Sequence, residues 1–484
     1  MIIRPENIIG NEFSAKGEST FRSYNPSLNQ EIDATYYIAT AEEVEQACIL
    51  AQKASKPYFQ IGVKKRTDFL NKVIFYIQEN QAELLRWFVQ ESGLNEARAK
   101  LELDRTIFQI KTYAVSAEKL YSTLNSEAAD PPIHSIKREY FPLGPIAVFG
   151  ASNFPFAYST AGGDTASALA AGCPVIVKGH PLHPITGHLV AQCIQKAAID
   201  TGMPEGVFSY LNSNAIQVGQ QLVLNEAVKG VGFTGSIKGG RAIFDLAAKR
   251  ETLIPVFAEM GSVNPVFISK KSLKQGNSWA EEYAKSITLG VGQFCTSPGL
   301  IFGLNSGEFD DFANRLNHLL ETTDEQVMLG SSIKENFTQG LTKIGVELDA
   351  TSSPNAIKPT MKVIEAKEFL NNSDFAEEYF GSFCVLVKCT DLEEVESCAQ
   401  FLKGQLTCSL IAQEDELKEM SDLIYTLKSK CGRLIFNGVS TGVAVHPFQQ
   451  HGGPYPASTD SRFTAVGDDA IMRWVRPIAV QNAF

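Results

Sequence analysis

Apolar residues recur at three- and four-residue intervals across residues 41–56, 64–80 and 95–120. That spacing sets them on one face of a helix, so beyond a short leader the first ~120 residues are expected to be helical, with the interleaved charges on solvated faces. Residues 126–132 have the composition of a loop that closes on the double proline Pro131-Pro132. Residues 133–141 alternate weakly, as an exposed strand does. From Gly144 the rhythm changes. Short apolar runs at 146–149, 174–178, 207–211, 228–234 and 253–257 are separated by helical stretches at 160–171, 215–224 and 238–249. Strands alternating with helices imply a parallel sheet covered on both faces, with a ligand at the carboxyl ends of the strands. Beyond Glu259 a second set follows, with helices at 279–289 and 308–320 and strands at 300–303, 383–387 and 433–436, and it predicts a second α/β domain. Residues 472–481 alternate as an edge strand, which needs cover.

A chain of 484 residues exceeds the size at which one core stops growing, which agrees with more than one domain. Hydrophobic residues at 44% and charged residues at 20% describe a globular protein. No apolar run is long enough to span a bilayer, and the first residues lack the basic-then-apolar layout of a secretion signal, so no membrane role and a cytoplasmic location are expected. The nine cysteines are an odd number without C-x-x-C spacing, so reduced thiols and no metal site are expected. A net charge of −11 with no basic block argues against nucleic acid. It leaves an anionic small substrate open, because a local cation dominates a cleft whatever the total.

One cysteine stands apart. Gly292-Gln293-Phe294-Cys295-Thr296 places a thiol in a glycine-flanked turn after the helical stretch 279–289, where backbone amides can approach it. The plainer alternative is a buried apolar cysteine. In Phe257-Ala258-Glu259-Met260-Gly261-Ser262 a single carboxylate, Glu259, follows a strand-like run and supplies a possible base. Gly230-Val231-Gly232-Phe233-Thr234-Gly235 matches G-x-G-x-x-G in form only. Its first two glycines fall inside the strand-like run, whereas the fingerprint opens a helix. Gly235 and Gly240 instead bracket Ser236 at a strand-to-helix turn, where a pyrophosphate fits a helix end, or where a tight turn stands with no ligand. Lys178 ends another strand, as a ribose-binding group or a solvated terminus.

These segments together resemble the aldehyde dehydrogenase superfamily over nearly the whole chain. The matching pieces are Asn153-Phe154-Pro155, Val177-Lys178, Gly232-Phe233-Thr234-Gly235-Ser236, Ala258-Glu259-Met260-Gly261, the Cys295 segment, Glu378-Tyr379-Phe380-Gly381 and Phe436-Asn437-Gly438. The run from Phe149 to Pro155, the run from Ala161 to Pro174, and His451-Gly452-Gly453-Pro454-Tyr455-Pro456-Ala457 are similar to the branch holding 2,5-dioxopentanoate (α-ketoglutarate semialdehyde) dehydrogenases. That branch also includes an enzyme of long fatty aldehydes.

The resemblance implies two Rossmann-like parallel α/β domains plus a small oligomerisation β-hairpin. Residues 1–131 and 144–258 would form the cofactor-binding domain, 259–460 the catalytic domain, and 132–143 with 461–484 the element that assembles a homodimer or homotetramer. It implies that Cys295 attacks an aldehyde, that Asn153 and the Cys295 amide hold the oxyanion, and that Glu259 activates water. The cofactor would meet Gly150, Ala151, Ser152, Lys178, His180, Pro181, Gly235, Ser236, Gly240, Glu378 and Phe380. Many members carry a glutamate where this chain has Pro181. Without that carboxylate nothing there repels a 2′-phosphate, and Lys178 with His180 favours it, so NADP is expected ahead of NAD, with dual use open.

His451 lies in the late loop that the family sends toward the active site, to tune Glu259 or bind a carboxylate, or as a plain loop residue. A carboxylated semialdehyde wants an arginine, and Arg98, Arg105 and Arg433 qualify by chemistry alone. Phe154, Phe156 and Tyr158 either wall the tunnel or fill core. The rival readings are a broad or fatty aldehyde dehydrogenase, a non-catalytic protein that keeps the fold, and a cofactor-free cysteine hydrolase. The last is disfavoured because no histidine is near Cys295 in sequence.

Overall fold

The computed structural model describes residues 2–122, 126–128, 133, 135–274 and 278–482. Its first sheet has seven strands in the order Val256–Glu259, Gly230–Thr234, Ile146–Phe149, Val175–Lys178, Phe208–Leu211, Asn7–Ile9 and Glu12–Ser14. The first five run parallel, and the last two join antiparallel. Ile146–Phe149 is buried at every position, which is why its sequence is an unbroken apolar run. From that strand the chain steps outward one way to Phe208–Leu211, then returns to build Gly230–Thr234 and Val256–Glu259 on the other side. The order therefore reverses between Ile146–Phe149 and Gly230–Thr234, and a crevice opens at their carboxyl ends.

The second sheet has six parallel strands in the order Thr360–Glu365, Phe383–Cys389, Leu300–Leu304, Val266–Ile268, Gln405–Ile411 and Cys431–Phe436. Glu259 ends the first sheet and Val266 opens the second, so the connection between them runs past the crevice. A third, antiparallel sheet joins Val475–Gln481, Ser135–Pro142 and Ser126–Ala128.

Several expected elements differ. The leader, to which the sequence reading assigns no element, supplies the two short strands of the first sheet and the hairpin Thr20–Asn25 with Gln30–Tyr37. Three-residue strands are too short to display a period of two. Ser126–Ala128 is strand where a loop is expected, and residues 129–132, with the expected boundary at 131 and 132, lie outside the described residues. Helices Gln81–Ser92 and Pro184–Asp200 are additions to the sequence expectation. The alanine-rich helix begins at Gly163, not 160, because residues 157–162 fold back and the Gly163 amide bonds Ala157 O at 3.0 Å. The strand expected at 253–257 is Val256–Glu259, since Pro255 has no N–H to give to a ladder. Glu259 is thus the last strand residue, aimed at the crevice mouth. Gly230 and Gly232 do lie within a strand.

Candidate active site

The turn that carries Cys295 follows the helix Ser278–Thr288. Gly290, Val291 and Gly292 take φ of 57°, 63° and 64° in succession. A Cβ on Gly292 would stand 2.4 Å from Gly381 backbone, so glycine is required there by space as well as by φ. Val291 has neither excuse, since a β-branched residue at positive φ costs on the order of 1–3 kcal/mol, held here by packing around its buried side chain.

The chain leaving this turn is tied by its carbonyls. Asn264 Nδ2 donates to Cys295 O and to Ser297 O, both at 2.9 Å, and Ser440 Oγ donates to Thr296 O at 2.8 Å. Among the described residues the Cys295 N–H has no intramolecular acceptor, which leaves it available to an oxyanion. Asn153, 8% exposed, donates from Nδ2 to Gln293 O at 2.9 Å, and so sets its amide against the same turn.

Glu259 is 8% exposed and its Oε2 has no hydrogen-bond partner. Burial pushes its carboxyl up to about 8; the Arg473 guanidinium pulls the other way and Asp164 adds to the rise. Those two form an ion pair at 2.7 Å. The Cys295 thiol is pushed up to about 12 by burial and by the charges of Glu259 and Glu378, against the pull of Arg105 and Arg433. The turn therefore does not hold Cys295 as a ready-made thiolate, and deprotonation must accompany attack.

Cys295, Glu259 and Asn153 line one cavity of about 580 Å³ together with Ser152, Tyr158, His451, Gly235, Ser236, Glu378 and Phe380. His451 is brought to the thiol, with Nε2 3.8 Å from Sγ. Sequence distance conceals this closeness, and it is chemistry that weighs against a thiol–imidazole pair. Burial and the nearby Arg433, Arg105 and Arg473 push the imidazole down to about 3, so it is neutral. A thiolate–imidazolium pair of the hydrolase kind is disfavoured on both members. A neutral ring also supplies no charge for a carboxylate.

The three arginines separate clearly. Arg98 is paired with Glu102 at 3.2 Å. Arg105 donates to Tyr158 Oη at 3.1 Å and to Val443 O, and Arg433 donates to Gly442 O at 2.8 Å and Ser440 O at 2.6 Å. Each of these two keeps a buried Nε without a partner, and their charges reach the Cys295 thiol. Phe154 meets Tyr158 edge-on at 4.9 Å beside the cavity, whereas Phe156 is core, stacked on Phe88 at 5.0 Å.

The residues at the crevice suit a dinucleotide. Gly235 and Gly240 flank the N-cap Ser236 of helix Ile237–Ala247. A Cβ on Gly261 would stand 2.3 Å from Glu378 Oε2, so that carboxylate, pushed up to about 7 by burial, lies directly on the chain beyond Glu259. Lys178 is half-buried and has no carboxylate partner among the described residues, and desolvation alone pushes its ammonium down to about 8; an unpaired cation there fits an anionic or hydroxyl ligand. His180 would favour a 2′-phosphate as a hydrogen-bond donor, not as a cation. Burial, then His183 and Lys178, hold it well below its usual range, and its Nδ1 accepts from Leu182 N at 3.2 Å. It offers an Nε2–H donor rather than a charge. Pro181 adds no carboxylate. Gly150 and Ala151 continue the strand Ile146–Phe149 into the crevice, and His183 Nε2 bonds Ala151 O at 2.8 Å.

Asn264, Asp164, Arg473 and His183 were not singled out from the sequence. Only Asn264 carries a local signal, an asparagine before Pro265 at φ 48°, a conformation asparagine tolerates.

The aldehyde dehydrogenase family model matches residues 13–459. The chain is 38% identical to "Alpha-ketoglutaric semialdehyde dehydrogenase 2" of Azospirillum brasilense, over 100% of this chain and 95% of that one. It is 35% identical to "Alpha-ketoglutaric semialdehyde dehydrogenase" of Acinetobacter baylyi, over 99% and 93%. Its fold is similar to that of 1-pyrroline-5-carboxylate dehydrogenase from Thermus with bound NAD, at a TM-score of 0.84 and 22% identity, over 99% of this chain and 93% of that chain.

Proposed function

The chain belongs to the aldehyde dehydrogenase family, and from that premise we propose that it oxidises 2,5-dioxopentanoate to 2-oxoglutarate through a covalent adduct on Cys295, with NADP ahead of NAD. The family uses NAD or NADP. The observation that carries the reading is the convergence of Cys295, Glu259 and Asn153 on one cavity at the crevice mouth.

Cys295 Sγ adds to the aldehyde carbon as its proton passes to water in the cavity, giving a thiohemiacetal in its anionic form. The Asn153 amide and the Cys295 N–H receive the negative oxygen. A nicotinamide cofactor, when bound, would supply the acceptor for the hydride of that carbon, so that Cys295 would be left carrying a thioester. Glu259 then takes a proton from water as the water oxygen attacks the thioester; the C–S bond breaks, the acid departs, and the proton held by Glu259 restores Cys295 as a thiol. The neutral His451 imidazole beside Sγ is a hydrogen-bonding partner for the thiol in this scheme. For the cofactor, Ser236 and the first amides of its helix suit the pyrophosphate, Lys178 the adenosine ribose or its 2′-phosphate, and Glu378 the nicotinamide ribose.

The substrate assignment draws support from Arg105 and Arg433. Two guanidinium groups, each with an unpartnered buried Nε, are costly beside an apolar tail and suited to a carboxylate. Arg105→Met and Arg433→Met are each expected to lower kcat/KM for 2,5-dioxopentanoate by roughly 10- to 100-fold, the worth of a charge-assisted hydrogen bond, while pentanal turns over within about threefold of the parent. Equal losses on both aldehydes in steady-state assays would remove the carboxylate assignment, and faster turnover of long-chain aldehydes by the parent would remove the substrate.

Lys178→Ala is expected to raise KM for NADP by about tenfold and for NAD by less than about threefold, since a phosphate contact is charge-assisted and a hydroxyl contact is not. The same factor on both would refute the proposed preference. A second copy of the chain is proposed to cover the free edge of Val475–Gln481, giving a homodimer or homotetramer.

A further inference from the structure

We propose that Arg98 is a positioning residue for the oxyanion pocket, a bracket that fixes the Asn153 turn against the Cys295 turn. The inference rests on the reading of Asn153 and the Cys295 amide as the two donors.

The two turns come from segments far apart in the chain and are joined here by one cation. Phe154 follows Asn153, and Phe294 precedes Cys295. Their rings meet edge to face at 5.2 Å, and the Arg98 guanidinium carbon stands over both, 4.5 Å from the Phe154 centroid and 4.4 Å from that of Phe294. Its Nη2 donates to the backbone oxygen of Asn153 itself at 3.3 Å. On the other side, a Cβ at Gly290 would lie 2.9 Å from Arg98 Nη1, so the Cys295 turn leaves room for this group and no more.

The cation is in turn anchored. Arg98 Nε and Nη2 both donate to Glu102 Oε2, at 3.3 and 3.2 Å, one helical turn along Glu96–Ser122. The other oxygen, Glu102 Oε1, accepts from the amides of Phe156 at 2.9 Å and Ala157 at 3.1 Å. The Glu102 side chain is 1% exposed and that of Arg98 14%. One ion pair on a rigid helix thus holds the Asn153 turn from both ends and meets the Cys295 turn through Phe294. A planar, delocalised cation is needed, because it must stack on two rings while its edge donates in the plane. An error near 1 Å between donors and reacting atom costs about 10²-fold in rate, so separation is what such a bracket protects.

A simple counterion role for Glu102 would be served equally by lysine. Arg98→Lys is expected to lower kcat 10- to 100-fold, with KM for aldehyde and for cofactor within about threefold of the parent. Added to Asn153→Ala, it should cost less than about threefold more, because a separation matters only while both donors are present. Phe294→Leu, which leaves the Arg98–Glu102 pair intact, is expected to show the same loss in kcat alone and carries the test should Arg98→Lys fail to fold. An unchanged kcat in Arg98→Lys, a rise in KM in place of the fall in kcat, or a full additive loss in the double variant overturns the bracket. If Asn153→Ala itself keeps full kcat, the reading of the donors fails instead, and the two failures are distinguishable.

Discussion

Replacing Cys295 by alanine is expected to abolish the formation of reduced nicotinamide with any aldehyde, a fall of at least ~10³-fold in kcat, with the melting temperature unchanged within a few degrees. No other thiol can stand in. Cys48, Cys173, Cys193, Cys384, Cys389, Cys398 and Cys408 are buried in the cores, and the half-buried Cys431 does not line the cavity. The same environment makes a second, less obvious result. With the thiol pushed up to about 12 by burial, little of Cys295 is thiolate at pH 7, so alkylation of the ligand-free protein by iodoacetamide should be slow and should rise steadily with pH through the neutral range. Full oxidation by Cys295→Ala, measured by absorbance of the reduced cofactor, would sink the covalent mechanism.

The sequence was most informative where the chemistry is local. Cys295 with its two glycines, Glu259 at a strand end and Asn153 before Pro155 each sit in a short segment whose residues constrain one another, and the alternation of strands and helices after Gly144 followed from burial on both sheet faces. What escaped depends on partners remote in the chain. Arg98 was one of three arginines equal in chemistry, and only the position of Glu102 and of two phenylalanine rings removes it from the carboxylate candidates. His451 reaches the thiol across 156 residues of sequence. The protonation of His180 was not legible because its environment is set by burial and by His183, neither of which composition displays. The leader went unassigned for another reason: strands such as Asn7–Ile9 are held by an existing sheet edge, not by a pattern of their own.

Glu259→Gln is expected to separate the two halves of the reaction. The glutamine is isosteric and cannot take a proton from water, so a burst of about one reduced cofactor per active site should be followed by a steady state lowered by roughly 10²–10⁴-fold, the usual contribution of a general base. In the parent the sign of the pH dependence follows from burial. The carboxyl is held up to about 8, so below that pH most of the protein has its base protonated, and hydrolysis of the thioester should climb tenfold per unit as pH rises, levelling off above about 8. The climb should vanish in Glu259→Gln. A loss of the burst together with the steady state would show instead that the same carboxylate is needed to take the proton of Cys295, a role its unpartnered Oε2 also permits. A steady state equal to the parent, with its pH profile intact, would transfer the base to another group lining the cavity, and the neutral imidazole of His451 would be the next to test.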